Sequence, residues 1–178
     1  MLSNAELILL KFIKTKPYYA YELERLIDDR QLRQWVKISG ATIYQVLDRL
    51  CQKGLLEYTF EKEGNMPQRK RYHISSKGDE IFFDSTREIL QNIEPYYFNL
   101  SIGLSCRKFL EKEEFDELIE VRLKKLESFL EDFNKRFEKS KELYPTKRLI
   151  IREYLLSHYK LEEELLKKLL SKEEDINE

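Results

Sequence analysis

Glycine is scarce in this chain of 178 residues, five in all, and no glycine-rich phosphate-cradling loop can be drawn from so few. The two cysteines, Cys51 and Cys106, and the two histidines, His73 and His158, lie too far apart for a metal-ligand spacing. Ser/His/acid and Cys/His groupings are missing as well, so the residues imply neither an enzyme nor a cofactor. No apolar run approaches the roughly 20 residues of a membrane span. The N-terminus, with Glu6 among its first residues, lacks a secretory pattern. Reduced cysteines in a cytoplasmic protein are the expectation.

Charge, by contrast, is plentiful. Lys, Arg, Asp and Glu make up 37% of the chain, yet they nearly cancel to a net −1. Any case for an anionic partner therefore rests on how charge is distributed. Between Arg30 and Lys77 there are ten Lys/Arg against four acids, a local balance of +6, whereas residues 96–178 carry 17 cations and 19 acids. The basic charge is segregated into one segment, and hydrophobic residues, 42% of the total, suffice for a core.

Within the basic segment, Ser39 to Gly54 reads as an amphipathic helix. Ser39 suits the N-cap, Gly54 suits the C-terminal close, and Ile43, Val46, Leu47 and Leu50 recur at three- and four-residue intervals. The opposite face holds Thr42, Tyr44, Gln45, Arg49, Gln52 and Lys53, groups that suit phosphates and base edges. Two shorter helices precede it, from Ser3 to Lys14 with Ser3 and Glu6 in capping-box spacing, and from about Ala20 to Arg30. Thr15 to Tyr19 reads as a turn, and Trp35, the single tryptophan, as a residue that closes a small core. After Gly54 the period changes to two. Leu56, Tyr58 and Phe60 mark one strand, Arg69 to Ile74 a second, and Glu63 to Gln68 the turn between them. Arg69, Lys70 and Arg71 open the return strand, at the end that projects from the core. Three helices followed by a cationic hairpin is the order of a winged helix-turn-helix, whose last helix enters the major groove while the wing touches flanking backbone. On this reading Ser39, Thr42, Tyr44, Gln45 and Arg49 face the groove and its phosphates, and Arg69, Lys70 and Arg71 form the wing.

Tyr21-Glu-Leu, Thr42-Ile-Tyr44 with Leu47 and Leu50, Gly54-Leu-Leu, and Arg69-Lys-Arg-Tyr-His-Ile74 before Ser76-Lys-Gly78 resemble the PadR family of bacterial transcriptional regulators over about residues 3–90. Two positions depart from the family's habit, Ala20 where Gly is usual and Gln45 where Pro is usual. The resemblance implies that Ser39, Thr42 and Tyr44 lie against phosphates or bases and that Arg69 and Lys70 serve the wing. It also implies a C-terminal helical domain that dimerises, and a small hydrophobic or phenolic effector. Apolarity alone suggests Trp35, Ile89, Phe98 and Phe109 as that effector's surroundings.

The second half is expected to be helical. A fourth helix runs from Ser75 or Ser76 to about Ile93, stopped by Pro95, with Ile81, Phe82, Ile89, Leu90 and Ile93 as its stripe. Tyr96 to Leu110, apolar and nearly uncharged, is expected to be buried. A long helix from Glu113 to Leu143 carries Phe115, Leu118, Ile119, Arg122, Leu126, Phe129, Leu130, Phe133 and Phe137 on one face, and Pro145 breaks it. The last helix, about Lys147 to Leu170, repeats the pattern with Ile151, Tyr154, Leu155, His158, Leu161, Leu165 and Leu169. His158 is expected to be a hydrogen-bonded packing residue, and the acidic tail from Lys172 to be frayed. The fold class is thus mainly α with a small β-hairpin wing, a winged helix-turn-helix DNA-binding domain over residues 1–94 and an all-helical dimerisation domain over 95–178. The function expected is a homodimeric repressor on a pseudo-palindromic operator in double-stranded DNA. The alternative is a winged helix that holds another protein through the same surface.

Overall fold

The computed structural model describes residues 2–62, 67–95, 97–139 and 147–171. The expected turn residues Glu63 to Met66, Tyr96, Leu143, Pro145, the tail from Lys172 and the side chain of Phe137 lie outside the described residues. The chain divides into two compact units, Met1–Pro95 and Tyr96–Glu178.

In the first unit, α1 (Asn4–Ile13) begins at the expected capping box. The Ser3 N–H donates to Glu6 Oε2 at 2.8 Å and the Glu6 N–H to Ser3 Oγ at 3.3 Å. Leu9, Leu10 and Phe12 of α1 enter the core with Leu23 and Ile27 of α2 (Ala20–Asp29). The same core takes Ile43, Val46, Leu47 and Leu50 of α3 (Gly40–Gln52), the four positions that the periodicity marked. Gly54, at φ 70°, closes α3 in the left-handed conformation that glycine adopts without penalty. Leu32, Val36 and Ile38 fill the space between α2 and α3, and Trp35 is exposed, so the expected packing role of the indole passes to its aliphatic neighbours.

The wing is a three-stranded antiparallel sheet. β2 (Leu56–Glu61) and β3 (Arg69–Ile74) form the expected hairpin, with Glu61 opposite Arg69 and Leu56 opposite Ile74. Tyr18–Tyr19, expected in a turn, is a third strand, β1, which places β3 in the middle by pairing Tyr18 with Tyr72 and Tyr19 with Arg71. Pro17 keeps its predecessor out of helical geometry but leaves the two tyrosines free to extend. α4 (Ser76–Gln91) starts from Ser75, whose Oγ accepts from the Gly78 N–H at 3.0 Å and donates to the Gly54 carbonyl at 2.7 Å. It ends at an extended Asn92, short of the expected Ile93, because Pro95 restricts only the residue before it and so leaves the end to asparagine, a poor helix former. Ile81 and Phe82 pack on the core as expected, while Ile89, Leu90 and Ile93 are exposed.

The second unit comprises α5 (Asn99–Ser105), α6 (Lys112–Lys139) and α7 (Lys147–Ser171). α6 and α7 run antiparallel, since Arg122 pairs with Glu162 at 2.7 Å and Arg152 donates to Asn134 at 2.8 Å. Phe115, Ile119, Leu126 and Phe133 of α6 are buried, at the spacing of an interhelical seam. Against them α7 presents Tyr159, Leu166, Leu169 and Leu170. The expected α7 stripe is therefore corrected: Ile151, Tyr154, Leu161 and Leu165 are exposed, and among the described side chains of α7 the fully buried one is Leu166. α7 is apolar on two faces about a residue out of phase, so periodicity alone cannot say which is covered within the chain. Leu118 and Phe129 of α6 are likewise exposed. The expected burial fails as well over residues 97–110, with Tyr97 at 91% and Phe109 at 78% exposure, because α5 lends only Leu100 and Leu104 to the core. His158 Nδ1 hydrogen-bonds the Tyr154 carbonyl of its own helix at 2.8 Å, as expected, but its neighbours Tyr154 and Leu161 are exposed and it is not part of the core between α6 and α7.

A close approach in the first unit is testable, with a glycine of the second unit as its control. A Cβ on Gly78 would lie 2.0 Å from the Leu55 carbonyl oxygen, whereas one on Gly103 meets nothing within 4 Å. Gly78→Ala should cost roughly 1–3 kcal/mol. Gly103→Ala should leave stability unchanged or raise it by up to about 1 kcal/mol. Thermal unfolding measures both, and an undisturbed Gly78→Ala midpoint would contradict the close packing of α4 on Leu55.

Glu6 is only 3% exposed and receives Lys53 Nζ at 2.7 Å, with Arg49 Nε at 3.5 Å. Burial by itself raises its carboxyl, but the hydrogen bonds from Lys53 and from Ser3 outweigh burial and hold it below the ordinary carboxylate value. A depressed folded pKa contributes stability above the unfolded value and loses it as pH falls through the folded one. Glu6→Gln should therefore be less stable at neutral pH and show a flatter loss of stability below about pH 4.5. Identical acid limbs in denaturation curves of the two proteins would contradict this.

Candidate nucleic-acid interface

Burial of Ile43, Val46, Leu47 and Leu50 turns Tyr44, Gln45, Asp48 and Arg49 outward at about 100° per residue. At the start of α3, Ser39 Oγ accepts from the Thr42 N–H at 3.1 Å and lies 2.7 Å from the Thr42 hydroxyl. Both hydroxyls thus fix the helix start, where the backbone dipole is positive and suited to an anion. Gln45 is exposed one turn along. Arg49, a further turn on, is drawn towards Glu6 and faces α1 as much as solvent.

The register of β3 sorts its cations. Tyr72 is buried, so Lys70, Tyr72 and Ile74 share the face towards the core, and Arg69, Arg71 and His73 share the other. Each of the first three cations lies over a tyrosine. Arg69 is 5.1 Å from the ring centre of Tyr21, Lys70 is 4.5 Å from that of Tyr58, and Arg71 is 5.4 Å from that of Tyr19. Lys70 Nζ is also 3.5 Å from Asp48 of α3, and Arg71 Nη1 is 3.1 Å from Glu61. The cations do not project from the hairpin as free charges; half-buried, they are braced on aromatic rings.

A hollow of about 650 Å³ opens between α3 and the sheet, lined by Tyr19, Tyr21, Tyr44, Asp48, Arg69 and Lys70 among others. Burial, followed by the negative charge of Asp48, pushes the Tyr72 hydroxyl at its floor up to about 12, so that it stays a neutral donor. The structure thus brings Tyr44, Arg69 and Lys70 to one hollow, with Ser39, Thr42 and Gln45 along the same helix. Arg49, Lys70 and Arg71 each lie within 3.5 Å of a carboxylate, of Glu6, Asp48 and Glu61 respectively. Tyr19, Tyr21 and Asp48 were not singled out from sequence, although Tyr21 could have been, since it is out of phase with buried Ala20, Leu23 and Ile27 and is 46% exposed.

Of the expected effector surroundings, Trp35 and Ile89 are exposed on the first unit. Phe98 lines a cavity of about 420 Å³ in the second unit with Leu100, Leu104, His158, Leu161 and Leu165, a lining that does not include Phe109. Among the described residues no cluster of His, Cys, Asp or Glu is placed to hold a metal ion, and no helix is long and apolar enough to cross a membrane.

Comparison with known proteins places this architecture. The Transcriptional regulator PadR-like family matches residues 9–82. An uncharacterized protein of Lysinibacillus sphaericus is 31% identical over 81 residues, 46% of this chain and 73% of that protein. Bacillus subtilis PadR solved in complex with operator DNA superposes with a TM-score of 0.74 at 16% identity, over 93% of this chain and 97% of that one. The same protein in complex with p-coumaric acid gives 0.73 at 17% identity, over 93% and 96%. A PadR-like transcriptional regulator from Bacillus cereus gives 0.67 at 17% identity, over 96% and 95%. At these identities the structural matches show the shared winged-helix fold, and the sequence matches carry the kinship. The chain belongs to the PadR-like family of transcriptional regulators.

Proposed function

We propose that this protein is a cytoplasmic homodimeric repressor that reads a pseudo-palindromic operator in double-stranded DNA. Residues 1–94 bind DNA and residues 95–178 dimerise. The observation that carries the reading is the joining of Tyr44, Arg69 and Lys70 at one hollow beside the outward face of α3. Ser39, Thr42 and Gln45 at the N-terminal half of α3 enter the major groove, and Arg69 and Lys70 meet flanking phosphates. Bacillus subtilis PadR, of like fold, was solved on operator DNA, which supports this choice of face.

The assembly rests on uncovered apolar surface. Leu118 and Phe129 of α6 with Ile151, Tyr154, Leu161 and Leu165 of α7 are exposed in the single chain, and a second copy covers them. For an effector, the cavity beside Phe98 and His158 is the candidate place, apolar enough for a phenolic ring. The p-coumaric acid complex of Bacillus subtilis PadR supports that ligand class.

Three measurements test this. Gln45→Ala should change sequence preference by about 1–3 kcal/mol at one base pair, while Arg69→Ala should weaken binding on operator and scrambled duplexes alike and lower the salt slope by about one. Two folded variants with wild-type affinity and slope would transfer the surface to protein recognition, the alternative reading. In sedimentation the full-length protein should be a dimer at micromolar concentration, and Leu118→Glu, outside the cavity beside Phe98, should dissociate it without loss of helicity. A wild-type monomer would overturn the assembly. Phenolic acids should release DNA or perturb Trp35 emission; a screen in which none does either would leave a constitutive binder.

A further inference from the structure

Arg71 differs from the two cations beside it on β3. It sits at the centre of the sheet, opposite Tyr19 of β1 and opposite Thr59 of β2. Its Nη1 donates to Glu61 Oε2 at 3.1 Å, and the Tyr19 hydroxyl donates to the same oxygen at 2.6 Å. The guanidinium lies over the Tyr19 ring, and its Nε is buried without a hydrogen bond. Glu61 is held below the ordinary carboxylate value by the Tyr19 hydroxyl first and Arg71 second, so the pair is ionised at neutral pH. Arg71 therefore meets a carboxylate within its own sheet.

The clamp continues towards the hollow. The Tyr19 ring stacks on that of Tyr21 at 5.6 Å and 14°, and Tyr21 carries Arg69 on its face. The Tyr19 N–H donates to Glu22 Oε2 at 2.9 Å, which ties the same residue to the first turn of α2. β1 is two residues long, too short to hold β3 by its ladder alone. Glu61, Arg71, Tyr19, Tyr21 and Arg69 thus form one connected run from β2 across β3 and β1 to α2.

We infer that Arg71 is a positioning residue, a latch that fixes the wing against β1 through Tyr19 and Glu61 and so orients Arg69, and that it makes no phosphate contact. This rests on the DNA-binding reading above. Counterion release separates the two roles, because a cation that meets a phosphate contributes about 0.9 to the salt slope and a latch contributes nothing.

The test uses the full-length protein and a duplex that the wild type selects from a random-sequence pool, titrated over a range of salt. Arg71→Ala and Tyr19→Phe should each weaken binding about two- to tenfold, the fold-change of one lost hydrogen bond, with the wild-type slope. Arg69→Ala should lower the slope by about one. Without DNA, the backbone amides of β1 and β3 should exchange faster in Arg71→Ala and Tyr19→Phe. The double variant Arg71→Ala/Tyr19→Phe should bind no more weakly than Arg71→Ala. Tyr19→Phe keeps the ring and serves the comparison if Arg71→Ala unfolds. A slope lowered by about one in Arg71→Ala, or unchanged amide exchange in both latch variants, overturns the latch and leaves the DNA reading standing. An unchanged slope in Arg69→Ala removes Arg69 as a phosphate contact and with it the latch that orients it, whereas a wild type that selects no duplex from the pool removes the DNA reading itself.

Discussion

Burial of the Tyr72 ring decides the chemistry of the wing, because side chains on a strand alternate and one fixed residue assigns every other residue of β3 to a face. With Tyr72 in the core, Lys70 turns towards α3 and Asp48, and Arg69 and Arg71 turn to the opposite face. A slip of one residue would exchange these sets and put Arg71 or His73 at the buried position of Tyr72. The slip is opposed from both sides, since β3 is the central strand and both β1 and β2 fix its register. On α3 the four-residue stripe from Ile43 to Leu50 does the equivalent work, and what it leaves outside is the face that the proposal assigns to DNA.

The two units use charge and apolar surface differently. In the first, acids meet cations at specific points, Glu6 with Lys53, Glu61 with Arg71 and Asp48 with Lys70, so the local basic excess is borne by few positions. In the second, charge is nearly balanced and the uncovered groups are aliphatic and aromatic. A surface of that kind suits another protein surface better than a phosphate backbone, which is why DNA reading is assigned to one unit and assembly to the other.

Much of the first unit was legible in sequence because its signals are local. The Ser3–Glu6 capping box, the Ser39 cap and the α3 stripe depend on residues three or four apart, and the structure places them as read. β1 was not legible, since two residues carry no periodicity and their extended state comes from pairing with a strand more than fifty residues away. The engagement of Arg71 by Glu61 and Tyr19 needed that register, so a run of three cations looked uniform although Arg71 is held by a carboxylate of its own sheet and Lys70 lies beside one of α3. The place of Tyr21 was legible, since its phase on α2 puts it outside the stripe of Ala20, Leu23 and Ile27. In α7 the failure had another cause, two apolar faces of similar strength of which only one is covered within the chain.

The most direct measurement of the central claim is amide hydrogen exchange over the whole chain, with and without a duplex that the protein itself selects. The first turns of α3 and the β2–β3 hairpin should slow on adding DNA, and α6 should show no slowing of comparable size. Slowing confined to the second unit, with α3 and the hairpin unchanged, would contradict the assignment of DNA reading to α3 and the wing.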